Sequence, residues 1–201
     1  MTPSKSLRVL SGLDNHLPLL ADATLVFIDF QNTYTQGVMA LEGADKALAA
    51  AARLLAAARA AGTKVIHVMH DGGEGSPYDI RAEIGAICSE VAPAKGEHVV
   101  VKKYPNSFHD TDLEKTLREL NAGKELVLAG FMTHMCVAFT AQGAFNLGYR
   151  PTVVAEATAT RSLTAPDGSV VPAATLKTSA LTTIGDLFGV VTPSVNDLTS
   201  K

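Results

Sequence analysis

Cys136 is the residue of this chain best placed to do chemistry: the run Gly130-Phe131-Met132-Thr133-His134-Met135-Cys136-Val137 follows an apolar strand pattern and opens a helical one. A thiol in the first turn of a helix sits at the positive end of the helix dipole, among amides with no intrahelical partner, and that placement favours thiolate. The same amides can hold a developing oxyanion, so one turn would supply both the nucleophile and the electrostatic stabilisation for acyl transfer. The plainer alternative for Cys136 is a small apolar core residue, because free cysteine is among the most buried residue types. Asp29 closes the first strand pattern and Lys102 the third; their plainer readings are a strand-end cap and a solvated charge.

The elements that must position these groups alternate along the chain. Thr24 to Asp29, Lys64 to Met69, His98 to Lys102, Glu125 to Gly130, Pro151 to Ala155 and Gly189 to Thr192 are short, rich in Val, Ile and Leu, and bounded by turn residues, which predicts six strands. Ala44 to Ala61, Thr111 to Leu120, Met135 to Leu147 and Ala173 to Leu187 carry helical periodicity, with Gly62, Gly123 and Gly148 as stops. Near-continuous apolar strands between helices imply a mainly parallel six-stranded sheet covered on both faces, a Rossmann-like three-layer α/β/α sandwich forming a single domain over residues 1–201. In such folds the ligand lies beyond the carboxyl ends of the strands, the edge where Asp29, Lys102 and Cys136 emerge. The segment from Asp71 to Gly96 reads as a loop with a helical turn or two over that edge, a potential lid.

Composition narrows the function classes. The 201 residues are 47% hydrophobic and 18% charged, which describes a large core and leaves room for subunit contacts, so a homo-oligomer is expected. A net charge of -3 without a basic run argues against nucleic acid as a partner. No apolar run is long enough to span a membrane. Cys88 and Cys136 show no metal-clip spacing, no secretory leader pattern is visible, and the chain reads as cytoplasmic with Cys88 inert. The glycines match neither dinucleotide nor phosphate-loop motifs, which weakens a dinucleotide-binding reading based on fold alone.

Three blocks together resemble the isochorismatase-like superfamily of cysteine hydrolases: Leu25-Val26-Phe27-Ile28-Asp29-Phe30-Gln31-Asn32; Val101-Lys102-Lys103-Tyr104-Pro105-Asn106-Ser107-Phe108 with Thr111-Asp112-Leu113; and Gly130 to Val137. Lys102, six positions before Phe108, has the spacing of the family's lysine, and Lys103 is one residue off. The resemblance implies an Asp29-Lys102-Cys136 triad, a cis peptide at Phe131-Met132, and an oxyanion hole from the Met132 and Cys136 amides. Asp29 would move the proton, Lys102 would hold the charges, and Cys136 would attack a carbonyl. Phe30, Gln31, Phe108 and His134 are candidates to contact a small-molecule substrate, with packing or solvent-facing roles as their alternatives.

The chain also departs from parts of the family. Members that hydrolyse nicotinamide hold a metal through an Asp-x-His pair and a later His, whereas here the region reads His67-Val68-Met69-His70-Asp71-Gly72-Gly73. That spacing favours structural or substrate-contact histidines and a metal-free, cofactor-independent enzyme. Isochorismate cleavage, a vinyl-ether hydrolysis, is done without the cysteine, so Cys136 points to the C–N bond of a small amide or carbamoyl compound. The remaining alternatives are a non-catalytic small-ligand or assembly protein with a redox-sensitive Cys136, and a vinyl-ether hydrolase.

Overall fold

The computed structural model describes residues 3–199. Its strands are β1 (Thr24–Ile28), β2 (Lys64–His70), β3 (His98–Lys102), β4 (Glu125–Phe131), β5 (Arg150–Ala159), β6 (Leu163–Thr164), β7 (Val170–Val171) and β8 (Val190–Thr192). Six of them form one sheet in the order β3-β2-β1-β4-β5-β8, every neighbouring pair parallel, while β6 and β7 make a separate antiparallel hairpin. The order runs outward in both directions from β1 and β4. Between those two strands lies the crevice where α/β sheets receive ligands.

The helices are α1 (Leu7–Leu10), α2 (Ala44–Ala60), α3 (Leu113–Glu119), α4 (Ala138–Asn146), α5 (Ala173–Thr183) and α6 (Asn196–Thr199). Alternation along β1 divides the core into two layers. Leu25 and Phe27 pack with Leu48, Leu54 and Leu55 of α2, whereas Val26 and Ile28 face Leu113 and Leu117 of α3 and Val137, Ala141 and Ala144 at α4. Burying such side chains contributes roughly 1.5–3 kcal/mol each, so the sheet is held from both faces. Helix α2 forms because its run of Ala and Leu favours helix, with Asp45 in the first turn and Arg59 in the last complementing the dipole. It stops at Gly62, whose φ of 71° is the left-handed conformation that ends helices.

The segment expected to be one helix from Met135 to Leu147 divides into a π-turn, Thr133–Val137, and then α4. The end of the protein's fifth helix behaves similarly: α5 gives way to a second π-turn at Ile184–Phe188. Strand β5 runs four residues beyond its expected end, to Ala159, because a register shift between Leu128 and Gly130 lets it continue along β4. The β6–β7 hairpin had no strand-length apolar signal. Segment 71–97 contains two 3-10 turns, Glu83–Gly85 and Ser89–Val91. It is stitched down: Asn32 N donates to Ala86 O at 3.0 Å, and Cys88 N donates to Phe30 O at 2.8 Å.

Candidate active site

Asp29 leaves β1 with a φ of 53°, a left-handed turn uncommon for a residue with a side chain. Its backbone amide still bonds Val68 O at 2.9 Å, so the kink turns the carboxylate at the strand end without losing the sheet. On the adjoining strand, Gly130 has a φ of 145°, and a Cβ there would lie 2.0 Å from Ile28 O. β1 and β4 can therefore approach at the site only with glycine at this position. The peptide bond between Phe131 and Met132 is cis. Lys102 is the last residue of β3 and pairs in register with His70 of β2.

These elements bring Asp29, Lys102 and Cys136 together. Lys102 Nζ is 2.7 Å from Asp29 Oδ2 and donates to Cys136 Sγ at 3.3 Å. The Lys102–Asp29 contact is an ion pair too bent to count as a hydrogen bond, and neither carboxylate oxygen of Asp29 has a hydrogen-bond partner. The side chains of this pair are 0% exposed, and Cys136 is 5% exposed. A carboxylate that is buried and close to a thiol is poised to accept a proton.

The electrostatics follow from that burial. Loss of water raises the Asp29 carboxyl above the usual carboxylate range, the Lys102 charge opposing only part of the effect. Burial works against the Lys102 ammonium, but Asp29 and Cys136 outweigh it and hold the lysine charged to higher pH than usual. Burial, reinforced by the Asp29 charge, pushes the Cys136 thiol up to about 12. The dipole argument for a resting thiolate is thus corrected. The thiol lies inside a π-turn in the core, not on an exposed first turn of α-helix, and burial beside a carboxylate overrides the amides.

Other predicted residues fall in different places. His134 Nδ1 meets Thr160 Oγ1 at 2.5 Å, and the half-buried ring is held neutral by burial and the Arg161 charge. Phe30 is buried, edge-on to Phe27 and to Phe131. Gln31, also buried, has its amide engaged with backbone: Nε2 donates to Gly85 O at 2.7 Å and His70 O at 3.0 Å, and Oε1 accepts from His70 N at 2.8 Å. This glutamine braces β2 and segment 71–97 against the end of β1, with both of its N–H bonds used on backbone carbonyls. Phe108 stacks on Tyr149 beyond the far end of α4 from Cys136, because the loop after β3 descends along that helix: Ser107 N donates to Thr140 Oγ1.

Of the two histidines of β2, His67 Nε2 pairs with Glu97 Oε2 at 2.9 Å, while His70 Nδ1 lies 3.3 Å from Lys102 Nζ. Among the described residues no group of three or more His, Cys, Asp or Glu side chains is placed to hold a metal ion. Tyr34 and Tyr78 were missed in the sequence. The two rings meet edge to face at 5.7 Å, and both hydroxyls are held protonated, first by burial and then in part by the charges of Asp29 and Cys136. Each stands in a segment without periodicity, where the sequence carries no signal of what the ring will touch.

Residues 23–186 match the family model described as the isochorismatase domain. A secreted isochorismatase effector, Isc1, of Verticillium dahliae is 33% identical over 190 residues, covering 94% of this chain and 97% of that protein. Maleamate amidohydrolase of Pseudomonas putida is 34% identical over 155 residues, covering 66% of this chain and 70% of its own. The crystal structure of an isochorismatase from Pseudomonas putida superimposes with a TM-score of 0.90 at 39% identity, covering 96% of this chain and 97% of the other.

Proposed function

The chain belongs to the isochorismatase family of hydrolases, and we propose that it cleaves the C–N bond of a small amide or carbamoyl compound through an acyl thioester on Cys136. The observation that carries this reading is the single buried ammonium of Lys102, in contact with both the Asp29 carboxylate and the Cys136 thiol. Asp29 takes the thiol proton as Sγ attacks the carbonyl carbon, and the carbonyl electron pair moves onto oxygen, facing the amides of Met132 and Cys136. Collapse of that adduct breaks the C–N bond, and the Asp29 proton leaves with the amine. Water then attacks the thioester, giving its proton to Asp29, and the acid departs as the thiol is restored. Asp29 is suited to both steps because burial makes it a stronger base than an exposed carboxylate. His134 remains the substrate-contact candidate, half-buried in the same π-turn as the thiol.

A redox-sensing role for Cys136 is disfavoured, since sensor thiols are exposed and of low pKa and this one is buried and raised to about 12. A vinyl-ether hydrolase would have no need of the thiol. The two free cysteines, Cys88 and Cys136, suit a reducing cytoplasm. Apolar side chains left exposed at Leu7, Val9 and Leu10 of α1 and at Val99 and Val101 of β3 suit burial in a homo-oligomer. The functional test is amine release from a panel of small amides and ureido compounds by the purified protein and by Cys136→Ala. Turnover that disappears in the variant supports the proposal; a panel member hydrolysed equally by both proteins overturns it.

A further inference from the structure

The Lys102 ammonium has three N–H bonds and no lone pair; it is paired with Asp29 Oδ2 at 2.7 Å and meets two further side chains at hydrogen-bond distance, Cys136 Sγ and His70 Nδ1, each at 3.3 Å. An ammonium can only donate, so Nδ1 of His70 must accept, and the ring proton must sit on Nε2. We propose that His70 is a positioning residue of the hydrolase site: fixed as the Nε2–H tautomer, it takes one ammonium hydrogen and so fixes the orientation in which the ammonium donates to Cys136 while paired with Asp29. The proposal rests on the cysteine-hydrolase reading for its consequence and on hydrogen-bond geometry for its substance.

His70 is built to hold that place. It is the last residue of β2, in register with Lys102, so neighbouring strands present the two side chains side by side. The Gln31 side chain clamps its backbone from both sides, accepting from His70 N and donating to His70 O. The Tyr78 ring meets the imidazole edge to face, centroids 5.0 Å apart. Among the described residues Nε2 has no protein acceptor, so the ring is anchored through Nδ1 and leaves a donor open on its half-exposed side.

The charged and titratable groups around the ring are Lys102 from β3, Asp29 from the end of β1, Asp71 following β2, and Tyr78 from segment 71–97. Burial comes first in keeping the imidazole neutral, and the adjacent ammonium adds to it. Protonation of His70 would replace the acceptor by a donor and set a second cation against Lys102. The triad would then lose its arrangement on acidification in a way that needs a titratable side chain at position 70.

Nitrogen-15 NMR of the intact, histidine-labelled protein at neutral pH reads the tautomer directly. The expected spectrum shows His70 Nδ1 as the unprotonated nitrogen and Nε2 as the protonated one; a protonated Nδ1 overturns the proposal whatever the protein's activity. The functional consequence is read from the rate of Cys136 alkylation by iodoacetamide, followed by mass against pH in wild type, His70→Asn and His70→Ala. Asparagine offers an oxygen near the place of Nδ1 but cannot become a cation. It should keep the neutral-pH rate within about threefold and lose one proton from the acid limb, whereas alanine should slow the reaction by about tenfold or more, the usual effect of removing a partner from a charged hydrogen bond. Identical acid limbs in wild type and His70→Asn, or an unchanged rate in His70→Ala, would show the histidine to be packing only. If the tautomer is as expected but no amide is hydrolysed, the hydrolase reading fails and the assignment of His70 stands.

Discussion

Replacing Lys102 by Met removes the ammonium but keeps much of the side chain's length, and leaves the Asp29 charge unpaired at a fully buried position. At 2.7 Å and an effective dielectric of about 20, the attraction lost is about 6 kcal/mol. That figure is gross, because burying both charges opposed it; breaking one partner of a buried pair costs about 3–5 kcal/mol in practice. For a chain of this size each kcal/mol lowers Tm by about 2–4 °C, so Lys102→Met should melt roughly 6–20 °C below wild type at neutral pH. The loss has a pH signature. Asp29 binds its proton more tightly folded than unfolded even with Lys102 present, so its contribution to stability is most favourable below the unfolded carboxylate pKa and declines as pH rises through the raised folded value. Without the lysine that decline steepens, and the deficit of Lys102→Met should shrink on moving from pH 7.5 to about pH 5. Thermal unfolding by circular dichroism, run at both pH values with Asp29→Asn and the double variant, separates the terms. Asp29→Asn/Lys102→Met should recover a large part of the loss, because it leaves no unpaired charge. A Lys102→Met protein as stable as wild type, or a double variant no better than that single one, would refute the claim of a buried ion pair.

Asp29→Asn removes the base while keeping its shape; turnover of any amide substrate should fall about 100- to 10,000-fold, as for loss of general acid–base catalysis, measured as kcat/KM by amine release. Gly130→Ala forces a Cβ to within 2.0 Å of Ile28 O, and the fusion of β1 and β4 at the site should be lost at a cost of about 4 kcal/mol or more, seen as insoluble protein or a collapse in Tm. Glu97 is held at about 2, first by its hydrogen bonds from Arg59 and with help from Ala94 N and His67. Its stabilisation is complete above the unfolded glutamate value and is lost as pH falls through about 2. Tm measured between pH 5 and pH 2 should therefore decline less steeply in Glu97→Gln than in wild type.

The sheet was legible because its strands are apolar on both faces: Leu25 and Phe27 feed one layer of core, Val26 and Ile28 the other, and the sequence records both as one unbroken run. Asp29, Lys102 and Cys136 were legible for a related reason, each being a reactive side chain placed where a strand pattern ends. What the sequence did not carry is how these groups are buried. A dipole argument for Cys136 assumes water at the helix start, whereas the π-turn folds the thiol inward and reverses the direction of its pKa. The spacing to Phe108 singled out Lys102 over Lys103 but carried nothing about the ring itself, which stacks on Tyr149. Gln31 and His70 were marked as polar residues near the site, but their pairing joins residues 39 positions apart, and no local pattern encodes it. Tyr34 and Tyr78 belong to the same class of contact, visible only once segment 71–97 is laid over β1.

The central claim is that Cys136 carries the acyl group, and intact mass with peptide mapping of protein quenched during turnover of an amide substrate tests it most directly. The account predicts an adduct of the acyl portion without its amine, located on Cys136, absent from Cys88 and from Cys136→Ala. Turnover proceeding with no adduct on Cys136, at an undiminished rate in Cys136→Ala, would contradict it.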